Sequence, residues 1–130
     1  MPSGKKVYIT GYIGKDEIRF LFGSGASANI LPEKYFEQSA QRRTFRTVVG
    51  NIFHGLGPEQ KTITFNGTPI VVRAYGKKKI TVLGEDFTYF SHITTDRHGI
   101  VSITYKHPSK SIILYTRDEI NSHSPVIPDH

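Results

Sequence analysis

Apolar and polar residues alternate with a period of two over short stretches of this chain, and Gly, Asn, Asp or Pro interrupts each stretch. Such a pattern predicts half-buried strands joined by tight turns rather than amphipathic helices. Lys6–Ile13 alternates in part, Gly14-Lys15-Asp16 reads as a turn, and Glu17–Phe22 follows, so residues 6–22 are predicted to form a hairpin. Further β-prone runs lie at Arg46–Val49, Thr62–Phe65, Ile70–Tyr75, Ile80–Leu83, Ile100–Tyr105 and Ile112–Tyr115. Turn residues separate them at Asn66-Gly67, Gly76-Lys77 and Asp96–Gly99. Helical signal is confined to a short turn over Pro32–Ser39, where an early Pro costs no hydrogen bond, and to Asp118–Asn121. Ser122–His130 holds two prolines and no pattern, and residues 118–130 are expected to be a tail or extension. The class predicted is all-β.

Composition narrows this reading without redirecting it. A chain of 130 residues with 37% hydrophobic content suits one globular domain, expected over 1–117. No apolar run approaches the roughly 18–20 residues of a membrane span, and no apolar segment follows Lys5-Lys6 as a secretory signal would require. The absence of cysteine removes disulfides and thiolate metal sites and fits a reducing compartment. The net charge of +6 is dispersed, with only short basic runs, such as Arg42-Arg43 and Lys77-Lys78-Lys79. That distribution reads as a solvated basic surface, with neither nucleic acid nor membrane expected as a partner. His92 and His98 lack an acidic residue placed to complete a metal site, so no metal and no cofactor is expected. Asn66-Gly67-Thr68 is formally a glycosylation sequon but is better read as a hairpin turn.

The segment with the most chemistry in it is Phe20-Leu21-Phe22-Gly23-Ser24-Gly25-Ala26-Ser27-Ala28, a strand running into small residues. Gly23-x-Gly25-x-x-Ala28 matches the relaxed dinucleotide-binding fingerprint, but its context fails. Pro32 cuts off the required helix, and Arg42-Arg43 stand where the acidic ribose ligand belongs. Ser24 and Ser27 with a histidine lack the nucleophile-elbow pattern and the acidic third member of a serine hydrolase. On the residues alone, a tight turn without chemistry stays open.

Leu21-Phe22-Gly23-Ser24-Gly25-Ala26-Ser27 also resembles the active-site loop of retropepsins, the aspartic proteases of retroviruses, pararetroviruses and gypsy-type retrotransposons. In that family two apolar residues precede Asp, then Thr or Ser, Gly, Ala and a small or acidic residue. Ile80–Phe87, with Leu83-Gly84-Glu85-Asp86, is similar to the family's second signature, an apolar strand ending in Gly-x-Asp/Asn and opening a short helix. Between them, Val48–Gly57 stands where the family has its glycine-rich flap, taken here as about 48–60. The resemblance covers about residues 5 to 116.

The resemblance implies a closed β-barrel of the acid protease fold with one or two short helices. It implies a two-fold symmetric homodimer whose subunits each supply one aspartate to a shared dyad. The implied activity is endoproteolysis of a Gag-Pol-like polyprotein, in the cytoplasm or in a virion or virus-like particle. Gly23 takes the aspartate's position, so this chain is expected to be inactive, whether by an engineered Asp-to-Gly change or by natural loss. Ser24 matches the residue whose hydroxyl stiffens the paired loops, and Gly25 completes the catalytic motif. Ala26, Ser27, Gly50, Ile52, Phe53, Gly55, Leu56, Val82 and Leu83 are the expected peptide-binding positions, with core packing the preferred reading of Val82 and Leu83 over a place in a subsite wall. A natural, non-catalytic peptide- or protein-binding module of the same fold is the alternative.

Overall fold

In a computed structural model, residues 6–37, 42–46 and 52–117 are described. They fall into two compact units, Lys6–Tyr89 and the stretch from Phe90 onward.

The first unit opens with the predicted hairpin, β1 (Val7–Ile13) and β2 (Asp16–Phe22), in unbroken register from Val7↔Phe22 to Ile13↔Asp16. Asp16 belongs to the strand rather than the turn, which contracts to Gly14-Lys15 with Gly14 at φ +61°. β3 (Asn29–Pro32) leads into a single 3-10 turn, Glu33–Tyr35. β4 (Arg43–Arg46) pairs with the first residues of the long β5 (Ile52–Phe65), and β5 continues through Asn66-Gly67 into β6 (Thr68–Lys77). β7 is only Val82–Leu83, followed by α1 (Glu85–Thr88). The hydrogen-bonded order β1-β2-β7-β3-β6-β5 closes through Tyr12↔Thr64, giving a six-stranded barrel with β4 attached to β5.

Alternation builds the barrel core. Ile18, Phe20 and Phe22 point inward from β2, and Ile70, Val72 and Ala74 do so from β6. Phe65 packs between Phe20 and Phe87, with ring centroids 6.0 and 5.5 Å apart. Each such ring or aliphatic side chain contributes about 1.5–3 kcal/mol on burial. Gly11 makes room for this cluster: a Cβ there would lie 2.8 Å from both Ile63 and Phe65.

Several sequence expectations shift. Gly76-Lys77 is not a turn but the end of β6, because Gly76 pairs with Leu31 and Leu56 and lies against the Phe36 ring, where a Cβ would come within 2.7 Å. The strand expected over Ile80–Leu83 keeps only its last two residues; of that expected over Arg46–Val49, Arg46 ends β4 and residues 47–49 lie outside the described residues. Pro32 is part of β3, so the helical turn expected from Pro32 starts after it. Residues 118–130, including the expected helix at Asp118–Asn121, lie outside the described residues.

The second unit is an antiparallel sheet of β8 (Ser91–Asp96), β9 (Gly99–His107) and β10 (Lys110–Thr116), in the order β10-β9-β8. Ile103, Tyr105 and Ile112 are buried in it, among the described residues. Arg117 holds Asp96 through two parallel hydrogen bonds of 3.0 and 2.7 Å. Those bonds keep the Asp96 carboxyl well below the usual carboxylate range.

Candidate functional site

β2 and β7 run parallel, with Leu21 beside Val82 and Phe22 beside Leu83. The Leu21 N–H donates to the Thr81 carbonyl at 3.0 Å, which fixes this alignment. Both strands therefore end at the same level, one at Gly23 and the other at Gly84. The two motifs, far apart in the chain, open side by side.

The link between them is buried. Asn29, only 1% exposed, accepts a 2.8 Å hydrogen bond from the Gly84 N–H. Its amide donates to the Arg73 carbonyl at 3.0 Å. The Glu85 N–H donates to the Ala26 carbonyl at 2.9 Å. One polar side chain thus ties β3, β6 and the entry to α1 together. Gly84 is required at this crossing, since a Cβ would fall 2.3 Å from the Ala28 carbonyl oxygen.

The tip of the turn has the opposite character. Gly23, Ser24 and Gly25 are exposed, and Ala26 and Ser27 are half-buried. The Ser24 hydroxyl accepts from the Ala26 N–H at 3.3 Å, an internal turn contact. Gly23 sits at φ +70° and Gly25 at φ +87°, conformations that side-chain-bearing residues adopt rarely. A Cβ at Gly23 would meet no atom within 4 Å. The position expected for the catalytic aspartate is open in space and left-handed in backbone.

Asp16 and Asp86, two carboxylates of this unit, are engaged elsewhere. Asp16 accepts a 2.6 Å hydrogen bond from the Tyr35 hydroxyl at the start of β2. That is a strand's length from Gly23, roughly 20 Å at the usual rise. Partial burial of its carboxyl pushes Asp86 above the ordinary carboxylate value. The backbone N–H groups of Asp86 and Phe87, the Arg73 charge and the Asn29 amide oppose that shift. Asp86 is committed to the start of α1.

The remaining expected positions divide. Leu56, Val82 and Leu83 are buried in the barrel core, at 4, 4 and 0% exposure, and offer no surface to a peptide. Gly55 is buried and pairs with Arg43, while Phe53 pairs with Phe45 in the same ladder. Ile52, opposite Arg46, is 54% exposed and presents an apolar side chain to solvent. The described hairpin strands are Arg43–Arg46 and Ile52 onward; of the expected 48–57, residues 48–51 lie outside the described residues. Gly50 lies outside the described residues. Asn29 was missed by sequence reasoning; its signal was a polar residue opening the apolar run Asn29-Ile30-Leu31.

No protein-family model matches the chain, and no curated protein matches it. Among the described residues no group of three His, Cys, Asp or Glu stands together for a metal ion. No helix among them is long and apolar enough to cross a membrane.

Proposed function

We propose that this chain is a retropepsin-type aspartic endopeptidase subunit in a form that lacks its catalytic carboxylate. The observation that carries the reading is the junction of the turn after β2 with the β7–α1 segment through Asn29, Ala26, Gly84 and Glu85. Two loop motifs argued from sequence to serve one site lie hydrogen-bonded to each other. The closed barrel and the β4–β5 hairpin agree with the same reading.

In this reading two subunits place their turns across a two-fold axis and close their hairpins over a polypeptide, a segment of a viral or retroelement polyprotein. An aspartate pair there would share one proton. The ionised member would take a proton from the attacking water and the protonated member would hydrogen-bond the scissile carbonyl. With Gly23 in both subunits the dimer has no base, and a displaced carboxylate does not substitute. The unaltered chain therefore hydrolyses no peptide at a useful rate. Gly23→Asp gives pepstatin-sensitive cleavage with an acidic optimum; a folded dimeric variant that cuts nothing across a peptide library refutes the proposal.

The left-handed backbone at Gly23 favours a second reading, in which glycine is native to this turn and the module binds peptide without cutting it. That reading predicts measurable partner binding by the unaltered protein, weakened by Ile52→Asp, with no activity gained in Gly23→Asp.

A further inference from the structure

The two edges of the β8–β10 sheet are built differently. β10 starts with Lys110 and is bulged, its extra residue Leu114 falling between the pairs Ile113↔Thr104 and Tyr115↔Ile103. A lysine and a bulge are the usual devices that keep an edge strand from pairing with another chain. β8, Ser-His-Ile-Thr-Thr-Asp, has neither lysine nor proline. The bulge beside it puts its extra residue, Val101, on β9, so alternation along β8 is unbroken. Among the described residues β8 has a strand neighbour on one side only, and every residue from His92 to Asp96 is exposed.

We infer that β8 is an association edge, and that its partner is β8 of a second copy of this chain, paired antiparallel about a two-fold axis at Thr94. The sequence is self-complementary in that register. Each His92 imidazole faces the other copy's Asp96 carboxylate, which the Arg117 bonds hold ionised. Each Thr94 faces itself. On the other face Ile93 lies opposite Thr95, a pair of β-branched side chains suited to cross-strand contact. Ile93 also pairs with the buried Ile103 and ends this sheet's apolar row while 45% exposed itself, so a second strand covers an apolar edge. The inference does not rest on the retropepsin reading, because it involves no residue of the Gly23 turn.

Sedimentation equilibrium and amide hydrogen exchange at several concentrations of the whole chain test it. The expected result is reversible self-association over and above any dimer formed through the Gly23 turns, with protection of β8 amides that rises with concentration. Thr94→Lys sets two like charges against each other at the axis, and His92→Glu sets a carboxylate against Asp96. Each raises the dissociation constant by about fivefold or more. Ile113→Lys, the same kind of change on the blunted edge, leaves it unaltered. A chain monomeric at every concentration overturns the inference. So does a dimer indifferent to both β8 substitutions, or β8 amides equally protected at all concentrations, which would mean that the chain's own residues cover the edge. Loss or gain of peptide cleavage in Gly23→Asp bears only on the other proposal.

Discussion

The tip and the base of the turn after β2 are a few residues apart and obey opposite rules. At the tip, Gly23 is exposed, has open space where a Cβ would stand and is held at positive φ. At the base, Asn29 is buried with both ends of its amide hydrogen-bonded, and Gly84 lies against the Ala28 backbone with no room for a methyl group. The base specifies the fold, whereas the tip is where a side chain can be added and chemistry introduced. This contrast predicts that substitutions will separate stability from activity.

The largest effect is expected at the base. Gly84→Ala forces a Cβ into backbone atoms 2.3–2.7 Å away, which cannot rotate aside as a side chain would. We expect a loss of about 3 kcal/mol or more, read by urea denaturation. A mild effect would break the comparison. Asn29→Ala strands the Gly84 N–H and the Arg73 carbonyl in a buried site and should cost about 2–4 kcal/mol. Gly23→Ala at the tip meets no atom and pays only for its left-handed backbone, about 1 kcal/mol. Gly23→Asn should cost less, because Asn tolerates that conformation better.

The smallest effect is a pH dependence at the base's own carboxylate. Burial raises Asp86 above its ordinary value of 3.8, so the neutral form is favoured in the folded chain. The associated stability is complete below that ordinary value and is lost as pH rises through the folded-state pKa. Asp86→Asn should therefore stabilise the protein modestly at neutral pH. Its advantage should vanish in denaturation curves taken below about pH 4.

Many of the strands, though not β3 and not their order in the sheets, were legible because the barrel buries one face of a strand, and alternation records that directly. The β1–β2 hairpin and the Asn66-Gly67 turn are the clearest cases. Gly76 misled because glycine marks both turns and close packing, and only the Phe36 ring across the fold distinguishes them. β8 was not predicted, since Ser91–Asp96 has exposed side chains on both faces and so no apolar period to read. The candidate site was legible as two motifs, but the residue joining them was not. Asn29 acts through a backbone N–H that lies 55 positions away in the chain, a contact no local pattern encodes. Leu56 looked like a peptide contact for the same reason, because apolar character does not say which side of a thin barrel wall a residue faces; Val82 and Leu83 are buried as their preferred core reading had it.

In the proposed reading, the turn after β2 lacks one functional group, a carboxylate at Gly23. Peptide cleavage by Gly23→Asp and Gly23→Asn, assayed side by side from pH 3 to 7 on a diverse peptide library, tests it most directly. The two side chains are nearly identical in shape and both tolerate positive φ, so folding is controlled while ionisation is not. Cleavage at acidic pH by the Asp variant alone, abolished by pepstatin, is the predicted result. Equal silence from two folded, dimeric variants would contradict it.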